Sequence, residues 1–322
     1  AAKAARLMLN LITASAFIVL VSLERAANLG SASPSGELRL LASFTVALMI
    51  GLRGKKKGSL STSGAIAAVF VGTFTFNAGV EYAITLLFFF IASSALTKLR
   101  QDLKSQVEKE FKKDGQRDWI QVLANGGIPT LFAMFASAPP IAASHPFAQQ
   151  LAFLLRGAFL GYYCCCCGDT WSSEIGVLSR GDPILITKLR RVRRGTNGAV
   201  SLLGILASIA GGLSVGVAFV LAGNLAALSS IHQLFDLQGK AIRVVLCSGL
   251  AGLAGSFIDS VLGATVQFSG VDRETLKTTN KPGKGVTRIA GVNLINNDAV
   301  NFLSAAITSV GMGWLMAKYK WV

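Results

Sequence analysis

The sequence predicts an all-α polytopic integral membrane helix bundle of about nine spans. Three observations predict it: 52% of the residues are hydrophobic, only 15% are charged, and apolar runs recur along the whole 322-residue chain. An average soluble domain carries about 25% charged residues, and the mean hydropathy of +0.55 points the same way. The chain is therefore expected to form a single membrane domain over 1–322. Within it, 1–60 holds the less characteristic N-terminal spans and 61–322 the core.

In chain order the spans are Leu7–Leu23, Leu38–Leu52, Ser61–Ala78, Tyr82–Leu96, Ile120–Ala138, Gln149–Cys167, Val200–Leu221, Ile242–Leu262 and Asn301–Met316. The 31 Lys and Arg outnumber the 16 Asp and Glu, and a cation at mid-bilayer is expensive, so these charges belong in loops. With Lys3 and Arg6 inside, most of them fall in alternate connections, which predicts an N-in, C-out topology. The seventh span carries Gly204, Ser208, Gly212 and Gly216 at four-residue steps, and the eighth carries Gly249, Gly252 and Gly255. Small residues on one face predict close helix packing.

The polar connections expected on the inner face run over 97–119, 168–199 and 263–300, with a short one at Arg53–Leu60. In the first, Lys104, Glu108, Lys112 and Lys113 fall at helical spacings and predict an amphipathic or solvated helix. Polar side chains from five segments gather at the same ends of the spans. The sixth span ends in Asp169, Thr170, Ser173 and Glu174; the eighth in Asp259 and Gln267; the ninth begins after Asp298 with Asn301. Lys98 closes the fourth span, Asn125 opens the fifth, and Arg190–Arg194, Thr196 and Asn197 precede the seventh.

Hard oxygen donors such as Asp169, Glu174 and Asp259 suit Mg²⁺, which binds through a few carboxylates plus substrate phosphates. Lys98, the arginine run and backbone amides in Gly-rich turns suit phosphate oxygens. Together they have the makings of a phosphoryl-transfer site. Singly, each also has a structural reading: Asp169 as a helix cap, the arginines as a topology signal, Thr196-Asn197-Gly198 as a turn and cap.

Other chemistries are disfavoured. The sequence contains no GxxxxGK[ST], no GxGxxG after a soluble strand and no HExxH. His145 and His232 fall across the membrane from the carboxylates, which argues against a Ser-His-Asp triad. Cys164–Cys167 contains a CxxC spacing without a second pair of soft ligands nearby. The basic residues alternate with spans rather than lining one soluble face, which argues against nucleic-acid binding.

The segments QRDWIQVLANGG, GDTWSSEIGVLS, PILITKLRRVRRGTNGAVS, AGLAGSFIDSVLGATVQFSG and INNDAVNF resemble the transmembrane protein 19 family. That family also includes the plant phytyl-phosphate kinase of tocopherol synthesis and plant glucose-response membrane proteins. The resemblance implies a kinase that phosphorylates a prenyl monophosphate, such as phytyl or geranylgeranyl phosphate, to the diphosphate. The donor would be a nucleoside triphosphate, ATP or, by likeness to membrane polyprenol kinases, CTP.

Gly168-Asp169-Thr170-Trp171, Glu174, Gly195–Gly198, Asp259-Ser260, Gly263–Thr265 and Asn301 match the family pattern. It departs after Arg191-Val192, where relatives often carry Pro and this chain has Arg193, and at Asn296-Asn297, where many have Asp-Asn. On this reading Asp169, Glu174 and Asp259 hold Mg²⁺, while Lys98, Arg191, Thr196 and Asn197 bind phosphate. Asn125, Thr170, Ser173, Gln267, Asp298 and Asn301 orient the substrates. The partners are the bilayer and the prenyl phosphate, met alone or within a homo-oligomer or membrane complex. Another lipid-phosphate transferase, a transporter or a non-catalytic regulator are the alternatives, and plastid envelope and endomembrane are both open as the site of action.

Overall fold

The long central helix of the bundle is apolar on every side over Gly157–Gly168, and such a stretch is stable only when it is surrounded. In the computed structural model, which describes residues 36–98, 105–109, 115–138, 145–227 and 231–320, it is. The helices are α1 (Gly36–Lys56), α2 (Thr62–Ala78), α3 (Val80–Lys98), α4 (Trp119–Ser137), α5 (Pro146–Gly176), α6 (Leu202–Ala227), α7 (Ile231–Val266) and α8 (Asn297–Tyr319). The central one is α5, which packs against α3, α4, α6, α7 and α8. Phe159, Leu160, Tyr162, Tyr163 and all four cysteines Cys164–Cys167 are buried in the main core. Helices α1 and α2 pack together at one flank, and α2 reaches the rest through α4 and α3.

Among the described residues, six helices are long and apolar enough to cross a membrane: α3, α4, α5, α6, α7 and α8; α2 is apolar but shorter. The expected first span, Leu7–Leu23, lies outside the described residues. Large apolar side chains such as Ile66, Phe70, Ile91, Phe135, Leu250 and Val310 stand exposed on the outside of the bundle. In water they would be a liability; against acyl chains they are the natural surface.

The small-residue stripes do what their spacing predicts. A Cβ added at Gly212 would lie 2.2 Å from the Ser248 carbonyl oxygen, and one at Gly252 would lie 2.5 Å from that of Ser208. Helices α6 and α7 are therefore in backbone contact. Cys164–Cys167 fill the same kind of space on α5, as small buried thiols between neighbouring helices.

An ion pair lies within the bundle. Glu81 opens α3 and Arg156 sits on α5, with Nη2 2.8 Å from Oε1. It lies roughly 20 Å along α5 from Asp169, counting about 1.5 Å per residue. At the same far end His145 caps α5 by accepting the Phe147 amide.

The polar connections depart from the expectation. Helix α5 continues to Gly176 and α7 to Val266, so residues read as the starts of loops are still helical. Beyond them the chain builds two three-stranded antiparallel sheets that the all-α reading did not anticipate. One has the order β2-β1-β3, from β1 (Ile184–Leu185), β2 (Arg190–Arg191) and β3 (Ala199–Val200). The other has the order β5-β4-β6, from β4 (Ser269–Asp272), β5 (Thr278–Thr279) and β6 (Val286–Ala290). Strands this short carry little periodicity, which is why a hydropathy reading passes over them.

Of the expected helix over 97–119, residues 105–107 are helical. Glu108 then bridges Thr278 in parallel fashion, and the Lys109 amide donates to the Thr278 carbonyl at 2.9 Å. Lys104, Lys112 and Lys113 lie outside the described residues. The segment is pinned further by Lys277 Nζ on the Ser105 carbonyl (2.8 Å) and by an ion pair of Lys109 with Asp272.

The Lys109 ammonium, helped by the backbone amides of Thr275 and Glu274, holds the Asp272 carboxyl below the usual carboxylate range. Its stabilisation is thus complete above the unfolded-state value of about 3.9 and is lost as pH falls towards the folded-state value. Thermal midpoints of the purified protein should fall on acidification below about pH 4, and Asp272→Asn should flatten that limb of the profile. Within the bundle, Glu81→Leu should destabilise by about 3–5 kcal/mol, since it strands Arg156. Adding Arg156→Met should recover most of the loss in the same unfolding assay.

Candidate functional site

Where α5, α7 and α8 meet α4, a polar pocket of about 320 Å³ interrupts the apolar core. It gathers Asp169 and Thr170 from α5, Asp259 from α7, Asn301 and Ser304 from α8, and Asn125 from α4. Its position follows from backbone contact. A Cβ on Gly168 would sit 2.7 Å from the Gly252 carbonyl oxygen, so α5 and α7 touch one residue before Asp169 and two turns before Asp259.

The two carboxylates are close enough for the charge of one to bear on the other. Asp259 Oδ2 accepts from Ser304 Oγ at 3.2 Å. With the Asn301 amide oriented to satisfy its neighbours, Asn301 donates to the same oxygen at 3.1 Å and exchanges 3.3 Å bonds with Asn297. Asn125 Oδ1 accepts from the Cys166 thiol at 3.6 Å.

The opposite wall carries a residue the sequence reading did not select. Arg117 precedes α4, and its backbone is fixed by exchange with α2's approach: its amide donates to Ser59 O (3.1 Å) and its carbonyl accepts from Ser61 N (2.9 Å). Its Nη1 donates to Ser94 Oγ at 2.9 Å, and the guanidinium lies 5.8 Å from the centre of the Phe90 ring. Burial pushes the guanidinium below its ordinary value, opposed by the carboxylate of Glu174. An arginine so placed stays charged.

Several expected members stand elsewhere. Glu174 is buried one turn beyond Thr170, outside the pocket, where its charge acts on Arg117. Among the described residues no three His, Cys, Asp or Glu side chains gather to hold a metal, so Asp169, Glu174 and Asp259 do not form the expected set. Lys98 Nζ donates to the Lys57 carbonyl. Arg191 lies exposed on β2, and Asp298 lies in the first turn of α8, outside the pocket. Ser173 is exposed and donates to Thr170 O at 3.0 Å.

The Gly195–Gly198 turn is a structural joint. Gly195 and Gly198 take φ of 81° and 73°, and a Cβ at Gly198 would meet Ser260 O at 2.4 Å. Thr196 Oγ1 donates to Arg193 O at 2.6 Å. Asn197 ties the two sheets, with its amide on Ser269 Oγ (2.9 Å) and Nδ2 on Phe268 O (3.1 Å) and Asn280 Oδ1 (2.9 Å). Gln267 joins α7 to α8 through Asn297 Oδ1 at 3.3 Å.

Arg117 and Ser304 are the members that sequence reasoning missed. Arg117 lay in QRDWIQVLANGG, where its neighbours drew attention, and Ser304 stands three residues after Asn301 on the same helical face. The arrangement gathers two carboxylates, two amides and two hydroxyls around one space with a guanidinium. Such a site can neutralise a cation on one wall and an anion on the other. Two carboxylates with vacant coordination left for substrate phosphates are a usual protein contribution to Mg²⁺.

The fold and pocket define a multi-pass integral membrane protein with an acidic and cationic pocket at one end of its bundle. The sequence profile described as "Integral membrane protein DUF92" matches residues 45–309, and the chain belongs to that family. It is 42% identical to Protein PGR of Arabidopsis thaliana over 85% of this chain and 95% of that one. It is 31% identical to an uncharacterized membrane protein, MJ0933, of Methanocaldococcus jannaschii, over 73% of this chain and 86% of the relative. Protein VTE6, chloroplastic, of Arabidopsis thaliana is 29% identical over 78% of this chain and 63% of its own length. No solved structure matches.

The contact of α5 with α7 should tolerate no side chain. Gly168→Ala should lower stability by about 1–3 kcal/mol through overpacking, while Gly181→Ala, with nothing within 4 Å of the new Cβ, should be close to neutral. Unfolding in detergent compares the two.

Proposed function

We propose that the protein is a Mg²⁺-dependent prenyl-phosphate kinase. It would transfer the γ-phosphoryl group of CTP or ATP to a prenyl monophosphate, phytyl or geranylgeranyl phosphate, to give the diphosphate. The observation that carries this reading is the meeting of Asp169 and Asp259 with Arg117 in one pocket within a membrane bundle. The resemblance of the GDTW and INNDAVNF segments to a family containing a phytyl-phosphate kinase supports it.

In the transfer, an oxygen of the acceptor monophosphate forms a bond to the γ-phosphorus, and the bond from that phosphorus to the bridging oxygen breaks. The nucleoside diphosphate leaves with the electron pair. The acceptor is already anionic, so positioning and charge neutralisation matter more than proton removal. Mg²⁺ bound at Asp169 and Asp259 would supply neutralisation of the phosphate oxygens. Arg117 holds the acceptor phosphate through its forked donors, and Glu174 keeps that guanidinium in place and charged. Ser304 and Asn301 hold the Asp259 carboxylate, and Asn125 and Thr170 line the head-group space.

The test is transfer of labelled γ-phosphate to phytyl or geranylgeranyl phosphate by purified protein with Mg²⁺. Diphosphate should form, and Asp169→Asn and Asp259→Asn should each lower kcat by about 10²-fold or more. Folded protein that transfers from no nucleotide to either prenyl phosphate would sink the proposal.

A further inference from the structure

Beside the polar pocket lies a second cavity of opposite character. It lies between α1, α2, α3 and α4. Helices α3 and α4 each pack on α2 but make little contact with one another, and the space between them is left open. The walls are Val71 and Phe76 from α2 and Leu86, Leu87 and Phe90 from α3, with Ala47 and Gly72 keeping the α1 side shallow. Away from Arg117, Gln121 and Asn125 at one end, this lining offers hydrocarbon nothing but hydrocarbon.

The two cavities share Phe89, Arg117 and Asn125. The apolar chamber and the pocket of the two carboxylates therefore abut at a half-buried guanidinium. A cation at the junction excludes a neutral alkane as the intended occupant, and an apolar chamber excludes a free phosphate or nucleotide. We infer that the chamber between α1, α2, α3 and α4 seats the single hydrocarbon chain of a phosphate monoester, whose head sits at Arg117 and Asn125 facing Asp169 and Asp259. Each methylene moved from water into such a chamber is worth about 0.8 kcal/mol, and Arg117 fixes which end of the chain is turned towards the carboxylates. This rests on the kinase reading for what happens to the head, but the seat itself does not depend on turnover.

The experiment is photolabelling of the full-length protein in nanodiscs with a farnesyl-chain phosphate that carries a diazirine near its tail. Adducts are expected on Ala68, Val71 and Leu86. Farnesyl phosphate should displace them at concentrations at least about tenfold below farnesol, since a charge-assisted hydrogen bond is worth more than one decade of affinity. Arg117→Leu should erase that preference. Ala68→Phe, which places a ring in the chamber, should abolish labelling; Leu87→Trp serves the same purpose if the first variant melts early.

Adducts spread instead over the outward-facing Ile66 and Phe70 would overturn the inference. So would equal competition by farnesol, displacement by two-chain phosphatidic acid alone, or a chamber cross-linked to residues 1–35 of the chain itself. Head-dependent labelling without phosphoryl transfer would uphold the seat and remove the kinase reading. Transfer without labelling in the chamber would do the reverse.

Discussion

The contact on which the rest of this structure depends is the meeting of two backbones at Gly168 and Gly252. Helix association within lipid draws little on the hydrophobic effect and relies on close packing instead. Here the approach is so close that a methyl group on Gly168 would collide with the peptide atoms of Gly252, while one on Gly252 would collide with those of Ser208 and Gly212 on α6. That approach brings the side chain of Asp169 and, two turns along α7, that of Asp259 into the same pocket. The α6–α7 contact at Gly212 and Ser248 braces the pair from behind.

Around that contact the bundle handles its charges by different means. Asp259 is bonded by Ser304 and Asn301 from α8. Arg117 has Ser94, an aromatic face and the carboxylate of Glu174. At the far end Glu81 and Arg156 satisfy each other. The site end differs in kind: its two acids face the same space, with Arg117 in the same lining.

The bundle was legible because its driving pattern is written locally. Apolar runs, the glycine stripes at Gly204–Gly216 and Gly249–Gly255, and the concentration of acids at span ends all survive into the structure. Asp169, Asp259, Asn125, Thr170 and Asn301, drawn from four helices, do converge. What was not legible depended on distance in sequence. Thr196 and Asn197 carry the residue types of a phosphate-binding turn, yet Asn197 spends its hydrogen bonds on Phe268, Ser269 and Asn280. Glu174 shares a helix with Asp169, yet its charge acts on Arg117, a residue no spacing rule connects to it. Arg117 itself looked like one more loop cation because its burial is created by α2, α3 and α4 together.

The Glu81–Arg156 pair bears on how the protein is made. An arginine entering apolar surroundings alone carries a penalty that reaches roughly 2.5–3.5 kcal/mol at the centre of a membrane helix. Glu81 belongs to an earlier helix than Arg156. The cation's counter-ion is thus made first, and the order of the chain matches the order in which the pair needs its members.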